Sequence, residues 1–221
     1  MTTIRTLEQL SDSLAKDLAW RKKELSDLKS LIETVKSLSS KEKASSKEKA
    51  LLRSGITILY AHWEGFIKAA ASNYLEYVSM RKLRYNELSS NFVALALKNK
   101  LSQVDQTKKA TIFTEAIDFI RSQLDERSSV PYKDVVQTGS NLSSSIFREI
   151  TCSLGLDYSL YETKQMLIDE KLLAKRNNIA HGEYLSLDKE DYLELHSQVI
   201  NMMDTFRNQI ENCATCESFR C

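Results

Sequence analysis

Apolar residues recur every three or four positions along most of the chain, which is the spacing of one face of an α-helix. The first such stripe runs through residues 4–38 and predicts a long helical arm. Its members are Ile4, Leu7, Leu10, Leu14, Leu18, Leu25, Leu28, Ile32 and Val35. No segment alternates apolar and polar residues over the length of a strand. The pattern therefore predicts an all-α fold, a helical bundle with up-and-down connections.

Further stripes predict the other helices of this bundle. The most apolar stripe, residues 51–78, predicts a central helix that begins near Ser45, because Ser45 and Glu48 fit a capping box. Shorter helices are expected over residues 88–104, 107–125, 142–154, 162–180 and 187–212. Gly155 and Gly182 suit helix stops, Ser186 or Asp188 suits the start of the last helix, and the Ser-rich stretch 126–145 predicts an irregular connection.

Composition agrees with a helical, globular chain. Five Gly and one Pro in 221 residues are too few breakers for a β-sandwich or barrel. Hydrophobic residues make up 42% and charged residues 28%, which excludes a disordered chain. We expect an N-terminal helical arm over residues 1–44 that packs on the bundle, a helical domain over 45–212 and a C-terminal tail over 213–221.

Charge and hydropathy narrow the range of partners. The net charge is +1, so contact with nucleic acid needs a local patch or a few placed residues. Residues 21–53 carry ten Lys or Arg against five Asp or Glu, which fits either a solvated helix face or phosphate contacts. No apolar run approaches the roughly 20 residues of a membrane span, and the start lacks a secretory signal, so we expect a cytoplasmic protein without membrane contact.

Cysteine spacing predicts no metal site or cofactor. Cys213, Cys216 and Cys221 crowd the C-terminus, and Cys152 stands alone. A CxxC pair is a redox or zinc half-site, but no second half accompanies it. We expect these thiols to be free, the last three of them in a frayed tail. Nucleotide-binding and metalloprotease motifs are likewise missing from the sequence.

One cluster of polar residues at the end of the sixth predicted helix could carry chemistry. Arg176 offers a planar charged fork for phosphate oxygens, and His181 can exchange a proton near neutral pH. Asn177 shares the face of His181, four positions away. Arg176 and His181 are five positions apart, about 140° around a regular helix, so they meet only at a helix end or across two copies of the chain. Alternatively, Lys175 and these two residues only complement the helix dipole.

The stretch from Arg176 to His181 resembles the R-x4–6-H motif of the HEPN superfamily, in its common form R-N-x-x-A-H-G. The helical layout and the central-helix segment 59–68 are similar to a bacterial branch of presumed HEPN nucleases. This resemblance implies a homodimer in which two copies of the motif face one cleft. It also implies a metal-independent endoribonuclease of a toxin–antitoxin, anti-phage or RNA-processing system, with RNA as substrate and an antitoxin or regulatory protein as partner.

Carried onto this chain, the resemblance makes Arg176 and His181 catalytic and Asn177 supporting. We expect Lys175 and Asn178 to contact the substrate. Family members paired with nucleotidyltransferase antitoxins carry R-x4-H-x-Y, whose tyrosine is modified. Here the tyrosine, Tyr184, is three residues after His181 instead of two. We keep it as a candidate modification site, although its spacing differs from that of those family members.

Two central-helix residues are candidate auxiliaries. His62 would serve as a second proton carrier and Glu64 as a partner of Arg176. Alternatively, His62 is simply a packed or exposed helix residue, and Glu64 pairs with Lys68 four positions away.

Two functions of another class remain open from the sequence. The chain could be a non-catalytic helical module that binds RNA or protein through the same cleft. It could also be an antitoxin or coiled-coil adaptor that uses the stripe over residues 4–38.

Overall fold

The computed structural model describes residues 3–34, 46–106, 110–185 and 187–221. These residues contain helices and, apart from two isolated bridges, no strand, which confirms the all-α fold. The α-helices are α1 (Leu7–Thr34), α2 (Ser46–Met80), α3 (Ser90–Gln106), α4 (Ala110–Ser122), α5 (Ser144–Ser153), α6 (Lys175–Ala180) and α7 (Lys189–Thr215). The predictions that concern residues 35–38, Ser45, residue 107 and Ser186 lie outside the described residues.

The three longest helices, α1, α2 and α7, pack together around one hydrophobic core. Contacts between Ser13 and Asn73 and between Ser11 and Glu211 show that α1 runs antiparallel to both α2 and α7. The arm stripe is buried here at Leu10, Leu14, Leu18, Leu25 and Ile32. The division of the chain near residue 44 stays a prediction, because residues 35–45 are not described.

The central helix α2 supplies most of this core. Trp63, Phe66 and Ile67 are fully buried, as an apolar stripe on the middle helix of a bundle requires. The ring of Trp63 packs edge-on against Phe147 of α5 at 5.0 Å between centroids. The helix α2 therefore connects the α1–α7 pair with the smaller helices that lead to α6.

The helix expected over residues 162–180 is not a regular α-helix. A 3₁₀ segment covers Tyr158–Lys164, a π-helix covers Leu167–Ala174, and only then does α6 begin. Apolar spacing in so short a segment does not distinguish the wider π turn from an α turn. Asp169 in the π-helix accepts hydrogen bonds from the backbone N–H of Ser144, at 2.7 Å, and from its hydroxyl, so the segment is tied to the start of α5.

The C-terminal residues do not form the frayed tail that we expected. The side chain of Phe219 is fully buried and packs edge-on against Tyr77. The backbone N–H of Ser89 donates to the carbonyl of Phe219, and that of Cys221 donates to the carbonyl of Glu87. One apolar residue in a polar tail gives little signal, because its binding site is built by distant parts of the chain. The four cysteines are free, as expected.

None of the helices in the described ranges is both long and apolar enough to cross a membrane.

Candidate functional site

The predicted motif lies on α6 and in the turn that follows it. The helix ends at Ala180, and His181 leaves helical geometry with φ −84° and ψ 3°. Gly182 follows with φ +76°, a left-handed conformation that glycine adopts without strain, and the backbone N–H of Glu183 donates to the carbonyl of Asn178 at 2.9 Å. The predicted stop at Gly182 is therefore confirmed, and the motif sits where the chain leaves a short helix.

Arg176 is held by two parts of the chain that are distant in sequence. Its guanidinium carbon lies 4.1 Å from the ring centroid of Tyr60 on α2. Its Nη2 donates a hydrogen bond to the carbonyl oxygen of Ser140 in the irregular connection. The buried Nε has no hydrogen-bond partner within the described part of the chain. The guanidinium is thus fixed in place, and N–H groups of Nη1 and Nη2 that the Ser140 bond does not use remain as donors for an anion.

The two residues that hold Arg176, Tyr60 and Ser140, are themselves fixed by a hydrogen bond and by backbone conformation. The hydroxyl of Tyr60 accepts a 2.6 Å hydrogen bond from the backbone N–H of Leu142. Burial raises the pKa of Tyr60 and outweighs the lowering by its hydrogen bonds with Leu142 and Arg176, so the phenol stays neutral. Gly139 and Ser140 are both left-handed, with φ +59° and +63°. A left-handed serine costs on the order of 1–2 kcal/mol, and this conformation directs its carbonyl to Arg176.

The other predicted motif residues lie at different places around α6. His181 is exposed at the helix end, where a substrate can reach its ring. Asn177 and Asn178 are half-buried. Lys175 lines a narrow crevice against α7 together with Asp191 and Glu194, so it does not face the side of α6 that Arg176 occupies.

The structure separates the two candidate auxiliaries. His62 is two residues after Tyr60, about 200° around α2, and therefore faces away from Arg176. Its Nε2 lies 3.1 Å from a carboxylate oxygen of Glu24, and its ring packs against Trp20, both on α1. Burial lowers the pKa of His62, and the charge of Glu24 opposes that shift. His62 is thus a packed residue of the α1–α2 contact.

Glu64 lies on the same face of α2 as Tyr60, one turn further along. Burial is the main cause of the raised pKa of Tyr60, and the charge of Glu64 adds a minor contribution in the same direction. Between the described side chains of Glu64 and Arg176, no nitrogen–oxygen pair lies within 4.0 Å. Glu64 is therefore near the site, without the ion pair to Arg176 that we expected.

Sequence reasoning missed two cations beside the motif. Arg53 on α2 donates from Nη1 to the carbonyl oxygen of Glu183 at 2.8 Å. Lys49 lies one turn earlier, and its Nζ is 5.9 Å from the ring centroid of Tyr184. The local excess of basic residues over 21–53 included both cations, but periodicity gives no means of pairing them with residues 130 positions away.

A comparison with known protein families shows to which family this chain belongs. A family model described as MAE_28990-like HEPN matches residues 10–219. The chain belongs to the HEPN superfamily. HEPN domains often form dimers and act on RNA, and they are generally ribonuclease-type modules. The match includes α1 and the docked C-terminal residues as well as the motif.

Neither a curated protein nor a solved structure matches the chain at a significant level. Among the described residues, no three His, Cys, Asp or Glu side chains converge where they could hold a metal ion.

Proposed function

We propose that this HEPN protein is a metal-independent endoribonuclease that cleaves RNA with Arg176 and His181. One observation carries the proposal. The guanidinium of Arg176 is fixed between the Tyr60 ring and the Ser140 carbonyl, and His181 is exposed at the end of the same six-residue helix. A fixed cation and an accessible imidazole on one short helix are the kinds of group that phosphoryl chemistry needs.

RNA supplies its own nucleophile, the 2′-hydroxyl. In the proposed reaction, His181 takes the proton of this hydroxyl while the 2′-oxygen bonds to phosphorus. The bond from phosphorus to the 5′-oxygen breaks, and that oxygen receives a proton from His181 of a second copy of the chain. Arg176 stabilises the charge on the phosphoryl oxygens. The products are a 2′,3′-cyclic phosphate and a 5′-hydroxyl end.

The second copy is proposed because one chain presents one His181. An acid and a base are both needed, and His62, the histidine on α2, is packed against α1. A homodimer with two motifs facing one cleft supplies both groups. Asn177 and Asn178, half-buried on α6, would support the imidazole and the phosphate.

The biological setting is also a proposal. We propose a cytoplasmic toxin or anti-phage component that is restrained by an antitoxin or regulatory protein. The side chain of Tyr184 is 82% exposed, so its hydroxyl is accessible to a modifying partner.

The test is RNA cleavage in EDTA, with wild type, His181→Ala and Arg176→Lys purified in parallel. Total tRNA and a structured mRNA serve as substrates, and product ends are analysed. Loss of a general base should lower the rate by roughly 10²- to 10⁴-fold. Arg176→Lys should also be impaired, because an ammonium group lacks the planar fork that stacks on Tyr60.

Equal cleavage by wild type and His181→Ala would reject the proposed mechanism. RNA binding without cleavage by either protein would favour the non-catalytic interaction module. The specific activity should also fall on dilution, in step with dissociation of the dimer measured by mass photometry.

A further inference from the structure

A groove of about 620 Å³ lies open to solvent between the first turns of α2 and the end of α6. The described residues that line it include the cations of Lys49 and Arg53 and the hydroxyls of Ser46, Ser54 and Thr57. No carboxylate is among these lining residues. The Thr57 hydroxyl donates to the carbonyl of Arg53, which leaves two cations and the hydroxyls of Ser46 and Ser54 facing this open surface. Such a surface, with no carboxylate among its described lining residues, is suited to a polyanion.

The groove is joined directly to the motif. Ile179 of α6, two residues before His181, forms part of its wall. The hydrogen bond from Arg53 to the Glu183 carbonyl fastens the turn after His181 to α2. The groove and the turn that carries His181 are therefore adjacent.

An aromatic ring stands beside this groove. The side chain of Tyr184 is 82% exposed, the largest exposed fraction among the exposed large hydrophobic residues of the described chain. The Nζ of Lys49 lies 5.9 Å from its ring centroid, so a cation and an aromatic face occur together. Single-stranded nucleic acid is bound by this combination, with phosphates on the cations and bases on the rings.

We propose that this groove binds the backbone of single-stranded RNA next to the cleaved phosphate, with one base stacked on Tyr184. Lys49 and Arg53 contact the phosphates, and the hydroxyls of Ser46 and Ser54 donate to phosphate or ribose oxygens. The proposal rests on the proposed function and extends it, since it names the form of RNA and the residues that hold it outside the motif.

A second copy of the chain is the rival occupant. In a twofold interface the same patch contributes from both subunits. If this groove lay on that axis, Lys49 and Arg53 would face their own like charges without any carboxylate from the groove lining. Like charges across an interface are unfavourable, so the charge distribution favours RNA.

The experiment measures binding without cleavage. All proteins carry His181→Ala, and the probe is a fluorescein-labelled 15-nucleotide oligouridylate followed by fluorescence anisotropy at several salt concentrations. Lys49→Gln should weaken binding and reduce the slope of log affinity against log salt by about 0.7, the value for one phosphate contact on a single strand. Tyr184→Ala should weaken binding by roughly 5- to 150-fold. Tyr184→Phe keeps the ring and should bind like the parent.

Lys16→Gln is the matched control, because Lys16 is an exposed lysine that lies on α1. Ser13, one turn earlier, contacts Asn73 at the far end of α2, which places Lys16 on the order of 30 Å from Lys49. This variant should keep the parent salt slope and affinity. Far-UV circular dichroism and mass photometry establish that each variant is folded and has the parent oligomeric state.

Parent affinity and salt slope in both Lys49→Gln and Tyr184→Ala would overturn the groove proposal. So would a change in dimerisation with unchanged RNA binding, which would assign the groove to a second copy. The proposed function is judged separately, by His181-dependent cleavage in the wild-type background. Cleavage with an unaltered KM in Lys49→Gln rejects the groove alone, whereas Lys49-dependent binding without cleavage rejects the nuclease alone.

Discussion

At the scale of single residues, the guanidinium of Arg176 is held in one position by its neighbours, ready to bind an anion. The guanidinium stacks on Tyr60 and donates to the Ser140 carbonyl before any substrate is present. Donors that are already in position need no reorganisation during the reaction, and this is the main source of electrostatic stabilisation of a transition state. The left-handed backbone conformation of Ser140 is unfavourable for a serine, and the structure keeps it at the residue that binds Arg176.

Tyr60 should therefore act as a positioning residue for the proposed reaction. Tyr60→Leu removes the ring under Arg176, and a cation–π contact of this kind corresponds to roughly 2- to 30-fold in rate. Tyr60→Phe keeps the ring and should retain kcat. The measurement is kcat and KM for RNA cleavage by the two variants.

The hydroxyl of Tyr60 is expected to contribute to stability, and the ring to kcat. Both variants lose the hydroxyl that accepts from Leu142, so both should unfold at lower urea concentration than wild type. If Tyr60→Phe lost as much kcat as Tyr60→Leu, the ring contact would have no role in positioning Arg176.

At the scale of elements, two features determine where the candidate site residues lie. These are the π-helix before α6 and the packing of α1 on α2 and α7. The π-helix changes the rotation of the chain just before Arg176, and π segments often occur at functional sites. Its Asp169 is tied to Ser144, so the start of α5 and the approach to α6 form one unit. The α1 contacts bury His196 of α7 as well as His62.

The contact between α7 and α1 should be sensitive to pH. Burial lowers the pKa of His196, and Lys29 of α1 lowers it further, against smaller opposing effects of a hydrogen bond with the Leu25 backbone and of the charge of Glu33. The unfolded chain then binds more protons than the native chain just below pH 6.5, so the free energy of unfolding falls as pH is lowered from about 6.5. His196→Gln should lose less stability between pH 7.5 and pH 5.5 than wild type in urea titrations.

Ser197→Ala, an exposed neighbour that does not titrate, is the matched control and should keep the wild-type difference. His62, whose pKa is also lowered, accounts for part of the remaining pH dependence. An unchanged difference in His196→Gln would show that His196 does not contribute to it.

At the scale of the whole molecule, the C-terminus closes onto the far end of the bundle. After α7 the chain turns at Glu217, with φ +50°, and inserts Phe219 between Tyr77 and the segment before α3. The family match over residues 10–219 extends to this residue. The final residues therefore belong to the folded domain.

Phe219→Ala should be strongly destabilising, because a fully buried ring is removed. Such substitutions cost roughly 3–5 kcal/mol of unfolding free energy, which urea denaturation followed by circular dichroism measures. Cys216→Ser, an exposed residue of the same turn, should change stability by less than about 0.5 kcal/mol. A loss below about 1 kcal/mol in Phe219→Ala would mean that the docked tail is marginal in solution.

Local chemistry made part of the site predictable. Arg176, His181 and the stop at Gly182 lie within seven residues, so their spacing and the conformational needs of glycine identify them from sequence. Tyr60, Ser140, Lys49 and Arg53 reach the same site from far along the chain, and neither periodicity nor motif spacing pairs them with α6. The sequence leaves His62 open between the site and a packed contact, for the related reason that a helical position does not say which neighbour it faces.

The sequence by itself determined the all-α fold, most helix positions and the motif, because helices depend on residues three or four positions apart. Only the tertiary structure decided that Phe219 is buried, that His62 faces α1 and that Arg176 stacks on Tyr60. These arrangements depend on contacts between residues many turns apart in the chain. Their formation requires the packed core, and no local pattern encodes them.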